Sequence, residues 1–217
     1  MYKRQQVSSV AALGKSPDGS AVDENIKWLP ADKHSPYSIS KYFSETEVWR
    51  GAEEGLPVVI VNPSVILGPG DWQNGSCSIL TIVDEGLSFY TTGITGYVDV
   101  RDVTKAMIQL MNSDISNERF LLNAENICYK DIFLSIAGKL GKKQKFREAK
   151  QWMMALAWRF EYLKYLITRI PPRVTKDIAS AGLSRTFYSS SKFKKLLNFD
   201  FTPIDESIAN MARCYRR

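Results

Sequence analysis

The run Val58-Val59-Ile60-Val61, which continues as Asn-Pro-Ser-Val-Ile-Leu-Gly-Pro-Gly, constrains the fold more than any other stretch. Consecutive β-branched residues leave no polar side, so a strand built from them must be covered on both faces. Strands of that kind belong to parallel sheets flanked by helices. Pro63 and Gly68-Pro69-Gly70 then end the strand and turn the chain. Upstream, residues 6–9 predict a short strand and residues 14–36 a polar loop rich in Gly, Pro, Asp and Ser. Residues 37–52 predict a helix with Pro36 at its start and Gly55 beyond its end. Strand, helix and buried strand in this order make a βαβ unit.

Further strands are predicted at 96–100 and within 117–125. Helices are predicted from Asp102, with Asp102 as N-cap, from 128 to 141, and from 147 to 170, stopped by Pro171-Pro172. A helix, an extended piece and a last helix close the chain. Trp152, Met153, Leu156 and Phe160 recur at helical spacing, which predicts a core-facing stripe.

Tyr37 and Lys41 stand one turn apart at the head of the first helix, so phenol and ammonium share a face. A phenol ionises near pH ~10 and trades protons at neutral pH only where its anion is favoured. A neighbouring cation does that. With 10 tyrosines and 17 lysines in 217 residues, about one Tyr-x-x-x-Lys pair is expected by chance, and Tyr188 with Lys192 is a second. Context separates the two. Tyr37 opens a helix between two candidate parallel strands, and ligands bind outside the carboxyl ends of such strands. Ser9, Tyr37 and residues 62–64 would all face that crevice, whereas Tyr188 has no apolar strands around it.

His34 is the only histidine, so a His-based metal site or a Ser-His-Asp triad would rest on it alone. Beside Lys33, Ser35 and Pro36 it reads as a solvated loop residue. Asp99 and Asp102 have no third ligand nearby and read as caps or loop tethers rather than metal ligands. Cys77, Cys128 and Cys214 are unpatterned, which points to a reducing cytoplasm. No apolar run approaches the ~20 residues of a transmembrane span, and the first residues lack a signal peptide's apolar stretch. The net charge of +6 is unevenly spread: residues 1–138 hold 11 Lys and Arg against 17 acids, and residues 139–217 hold 18 against 6. A basic half of this kind is a solvated face, or else meets nucleic acid, an anionic membrane or a negatively charged ligand.

Taken in order, VSSVAALG, YSISK, VVIVNPSVILGPGDW, YVDVRDVTKAM and SSKFKKLLNFDFTPIDESI resemble the extended short-chain dehydrogenase/reductase superfamily, its NAD-dependent epimerase/dehydratase family. VSSVAALG and the stretch from Trp152 to Asp177 look closest to dihydroflavonol-reductase-like and 3β-hydroxysteroid-dehydrogenase-like members. The resemblance implies an α/β fold: the C-terminal half of a Rossmann-like doubly wound parallel sheet plus a small, mainly helical substrate-binding region. Residues 6–70 and 96–112 would belong to the dinucleotide-binding domain, 71–95 and 113–217 to the substrate-binding region, and 1–5 to an unrelated lead-in.

It also implies NAD or NADP as cofactor. Tyr37 would be the general acid/base, and Lys41 would lower its pKa and bind the nicotinamide ribose. Ser9, with Ser8 as fallback, would hold the substrate oxygen, and Pro63, Ser64 and Val65 would line the nicotinamide pocket. One or two residues of the 152–160 helix would touch substrate. The implied reaction is hydride transfer to a carbonyl or from a secondary alcohol. Nucleotide-sugar epimerisation or dehydration is the alternative, and a non-enzymic NAD(P)-binding or surface-binding protein is a third reading. Implied partners are the small-molecule carbonyl, alcohol or nucleotide sugar and, for the full-length protein, a second copy in a homodimer; no nucleic acid is expected.

One family feature is missing. No Gly-x-x-Gly-x-x-Gly occurs; the short matches at 93–96 and 138–141 follow no apolar strand. That phosphate-cradling loop belongs to the first half of such folds. The expectation is therefore an N-terminally truncated chain whose first strand is an exposed sheet edge. Such a chain should be poorly soluble or molten, bind NAD(P) weakly and show no measurable reductase activity alone.

Overall fold

The computed structural model describes residues 3–16, 18–170, 172 and 174–216. Strand β1 (Arg4–Val7) leads through a 3-10 turn (Val10–Ala12) and a long loop into helix α1 (Pro36–Glu53), and the chain returns along β2 (Val58–Pro63). Then follow β3 (Val65–Leu67), α2 (Ser78–Asp84), β4 (Phe89–Tyr90), β5 (Ile94–Asp99), α3 (Val100–Met111), β6 (Glu118–Leu122) and β7 (Glu125–Cys128). The remainder is α4 (Tyr129–Lys139), β8 (Arg147–Glu148), α5 (Gln151–Thr168), α6 (Lys176–Ala181), α7 (Ser191–Leu197) and α8 (Ile204–Tyr215).

β1 and β6 flank β2, and both run parallel to it. This explains the apolar run: β2 is the central strand and every residue in it is buried. Val59, Val61, Phe120 and Leu122 pack against α3 and α7, where the Phe193 ring lies 5.8 Å from Phe120 and 5.0 Å from Phe199. A second sheet places β5 between parallel β3 and antiparallel β7. Its Leu67 and Tyr97 share a core with Ile132 and Ile136 of α4 and Ile204, Ile208 and Met211 of α8.

Several boundaries differ from those predicted. The first strand occupies 4–7 rather than 6–9: Arg4 and Gln5 pair with Val58 and Val59, leaving Ser8 and Ser9 beyond its end. Among the described residues β1 pairs with β2 alone, so it forms an edge of the sheet. The helix predicted over 147–170 is confined to 151–168. Arg147 and Ala149 instead donate backbone hydrogen bonds to Ser88 and Tyr90 at 2.9 and 2.8 Å, forming the β4–β8 pair. Pro171 lies outside the described residues. The stripe expected to face the core does not: no residue of α5 is buried, and Trp152, Leu156 and Phe160 are open to solvent.

α3 begins at Val100 with Asp99, not Asp102, as its cap; Asp99 accepts the Arg101 N–H at 2.7 Å. Asp102 is fully buried and ties α3 to the segment before α8, accepting from the Thr202 N–H at 2.6 Å and hydroxyl at 3.0 Å. Burial alone would raise the Asp99 carboxyl. Hydrogen bonds from the Arg101 guanidinium, the Ser207 hydroxyl and the Arg101 N–H outweigh it and hold the group below its ordinary value. A depressed carboxyl stabilises the fold above its unfolded value of ~3.9, and that contribution fades as pH falls through the folded value. Asp99→Asn keeps the cap but loses the charge. It should cost about 1–2 kcal/mol in urea denaturation at neutral pH, and the gap to the parent should close in more acidic buffer.

Gly14 ends the turn after β1 against the loop that carries the chain to α1. A Cβ there would lie 1.9 Å from the Lys27 carbonyl oxygen, a backbone atom with no side-chain freedom. Gly14→Ala should therefore lower stability by about 1–3 kcal/mol, read as a lower thermal midpoint.

Candidate active site

The carboxyl ends of β1, β2 and β6 lie side by side. The Ser8 N–H donates to the Val61 carbonyl at 2.8 Å, and the Ser64 N–H to that of Leu122 at 3.0 Å, so the ladder runs on past each strand. The two serines after β1 diverge. Ser8 is buried and its hydroxyl donates to Glu45 Oε2 at 2.8 Å. Ser9 caps the 3-10 turn, its Oγ accepting the Ala11 N–H at 3.2 Å. A hydroxyl used as acceptor keeps its own hydrogen to donate.

α1 begins where a cap and a proline put it: Ser35 Oγ accepts the Ser38 N–H at 3.1 Å and Pro36 is the first helical residue. Tyr37 is 56% exposed. The Lys41 Nζ lies 5.8 Å from the centre of its ring. Phenol and ammonium thus share an open face. One turn further on, Glu45 is 3% exposed. Its Oε2 receives the Ser8 hydroxyl and the Asn62 Nδ2 at 2.8 and 2.9 Å. Its Oε1 receives Arg119 Nη1 at 3.1 Å and Trp49 Nε1 at 3.4 Å. One carboxylate therefore ties α1 to β1, β2 and β6. Because α1 runs back against the strands, Tyr37 stands ~12 Å along the axis from this anchor, beyond the strand ends.

The loop before α1 is also held. His34 stacks on Trp28 at 3.5 Å, Trp28 stacks on Tyr42 at 4.5 Å, and His34 Nε2 bonds the Leu29 carbonyl at 2.9 Å. His34 is thus a half-exposed loop residue, as expected, whose ring also packs the loop against Trp28.

At the end of β2, Pro63 and Ser64 are buried, and Val65 begins β3 half-buried. The Ser64 hydroxyl and the Asn62 Oδ1 are buried without a hydrogen-bond partner among the described residues. Orphaned polar atoms at strand ends suit a polar ligand group. The second tyrosine–lysine pair is not arranged for proton transfer. Tyr188 precedes α7 and its phenol is pushed up to about 12 by burial. Lys192 is drawn to Glu118 at 2.6 Å and lies over the Phe120 ring.

Asn62 lies in the 62–64 segment expected at the crevice, whereas nothing in the sequence reading marks Glu45 or Arg119. Glu45 had a usable signal, since it continues the Tyr37–Lys41 spacing by one more turn. Arg119 had none: its carboxylate partner is 74 residues away.

A model of the NAD dependent epimerase/dehydratase family matches residues 3–122, which carry β1, α1, β2 and β6. The chain belongs to the NAD-dependent epimerase/dehydratase family. Its match begins at Lys3, inside the stretch expected to be lead-in. Among curated family relatives, a dihydroflavonol 4-reductase-like protein of Synechocystis sp. is 27% identical, aligning 96% of this chain with 63% of its own length. Cinnamoyl-CoA reductase 1 of Petunia hybrida is 28% identical over 93% of this chain and 55% of its own. The chain thus spans less than two thirds of either relative. The crystal structure of gox2253 superposes with a TM-score of 0.81 at 30% identity, covering 100% of this chain and 66% of that one. UDP-glucose 4-epimerase of Thermus thermophilus, solved in complex with NAD, shares the fold with a TM-score of 0.70 at 18% identity, covering 99% of this chain and 64% of its own.

Proposed function

We propose that this chain carries the nicotinamide-facing part of an NAD(P)-dependent oxidoreductase that reduces a carbonyl or oxidises a secondary alcohol. The observation behind this is the Tyr37–Lys41 pair, exposed beyond the carboxyl ends of a parallel sheet and held there by Glu45. In the reducing direction the Tyr37 hydroxyl gives its proton to the oxygen that becomes an alkoxide, and in the oxidising direction it takes the proton away. The Ser9 hydroxyl donates to the same oxygen. Lys41 places a positive charge beside the phenol and donates to the ribose next to the nicotinamide. Pro63, Ser64 and Val65 line the nicotinamide side, where the unpartnered Ser64 hydroxyl fits a polar ring substituent. NAD or NADP, when bound, supplies or accepts the hydride.

Only the nicotinamide end is assigned. No Gly-x-x-Gly-x-x-Gly cradle for a pyrophosphate occurs in the 217 residues. Turnover therefore depends on a glycine-loop segment in addition to these residues. The reductase names of the curated relatives favour this reading over epimerisation. Free thiols at Cys77, Cys128 and Cys214 fit a cytoplasmic setting.

The test is nicotinamide absorbance during incubation with aldehydes and ketones, using NADH and NADPH. It compares the chain alone with a fusion that places a glycine-loop βαβ unit ahead of Lys3. Turnover by the fusion only is the expected result. A folded, cofactor-binding fusion with no turnover on any carbonyl would reject the oxidoreductase reading.

A further inference from the structure

α5 is an 18-residue helix with no buried residue. Trp152, Leu156, Phe160, Leu163 and Ile167 follow one another at intervals of three or four, which puts them on a single stripe. All five are 56–77% exposed. Single exposed leucines are ordinary on protein surfaces, but a continuous stripe of large apolar side chains marks a contact surface.

The charge around the stripe indicates what covers it. Residues 139–176 contain 11 Lys and Arg against 2 Glu. Lys143, Lys145, Arg147 and Lys150 lead into α5 and Arg169 follows it, all exposed. Docking a second copy of this face would set cations against cations. Nucleic acid would suit the cations but leave the aliphatic stripe uncovered. An anionic lipid surface satisfies both, with apolar side chains in the acyl boundary and ammonium and guanidinium groups among the headgroup phosphates and carboxylates. No helix among the described residues is long and apolar enough to cross a membrane. The remaining geometry is a helix lying in the plane of the interface.

We propose that α5 is an interfacial anchor, which inserts its Trp152–Ile167 stripe into an anionic membrane surface while the flanking basic residues bind the headgroups. This goes beyond the proposed reaction and does not depend on it.

Vesicle flotation tests the proposal, because aggregated protein does not float. The chain is mixed with vesicles of phosphatidylcholine alone or of equal parts phosphatidylcholine and phosphatidylserine. The expected result is at least about tenfold stronger partitioning to the anionic vesicles, weakening as salt is raised. Phe160→Glu with Ile167→Glu should abolish flotation while leaving circular dichroism and the thermal midpoint unchanged, since both side chains are already in solvent. Lys143→Gln and Lys145→Gln should each weaken binding about fivefold. Equal or absent binding to the two vesicle types would overturn the proposal. So would anionic binding that survives the double glutamate variant, since that would be adsorption without insertion. A lipid-free dimer dissolved by the same glutamates, or RNA bound in preference to vesicles, would overturn it too, assigning the stripe to a second copy or the cations to nucleic acid.

Discussion

Glu45→Ala is expected to remove about 3–5 kcal/mol of folding stability, read as a lower urea midpoint at unchanged slope. The size follows from what the substitution leaves behind. Four donors converge on this carboxylate, from Ser8, Asn62, Arg119 and Trp49. Arg119 cannot swing out to solvent without further loss, because its Nε and Nη2 also donate to the Glu24 carbonyl at 3.1 and 2.6 Å. The alanine variant therefore keeps a mostly buried guanidinium opposite an apolar methyl. Asn62 is fully buried, and its Nδ2 loses one of two acceptors, keeping the Ser9 carbonyl at 3.0 Å. Glu45→Gln retains volume and one acceptor but turns an amide donor towards a donor, and should cost about 1–3 kcal/mol. In a double-mutant cycle, Glu45→Ala with Arg119→Ala should lose clearly less than the sum of the single changes. A loss below about 1 kcal/mol for Glu45→Ala would mean that the helix is held to the sheet by its apolar contacts instead.

Tyr37→Phe should have the opposite profile, a small change in stability and a large one in rate. Among the described residues its hydroxyl has no hydrogen-bond partner, and the ring is largely in solvent, so folding stability should stay within about 0.5 kcal/mol. In the fusion bearing a glycine loop, kcat should fall by about 10²–10⁴, the usual worth of a positioned proton donor. Cofactor affinity should change little, because the phenol acts on the substrate oxygen. Tyr188→Phe is the control: that side chain is half-buried and packs against the cluster of Leu13, Val22 and Leu121, so removing its hydroxyl should leave kcat in place. A Tyr37→Phe protein retaining more than about a third of the parent rate would remove the phenol from the proposed chemistry.

Much of the site is legible in the order of the residues. The four β-branched residues of β2 announced a strand covered on both faces, and the following Asn-Pro-Ser marked where it stops. Pro36 announced where α1 starts, and the spacing of Tyr37 and Lys41 put them on one face. These features are local: rotamer stiffness, capping and helical periodicity act over a few residues. The first strand lies two residues ahead of its predicted span because Arg-Gln-Gln-Val carries no apolar alternation. Its extent follows from pairing with β2, through the Arg4 N–H bond to the Pro57 carbonyl at 2.9 Å.

Residue order alone therefore settled the βαβ unit, the parallel character of β2 and the shared face of Tyr37 and Lys41. Tertiary packing decided the rest. It turned Ser8 inward and left Ser9 as a cap, gathered Ser8, Asn62 and Arg119 from 37, 17 and 74 residues away onto Glu45, and set the α5 stripe in solvent rather than in the core. Periodicity states which side chains share a face of a helix; only the neighbours brought in by the rest of the chain determine whether that face meets sheet, ligand or water.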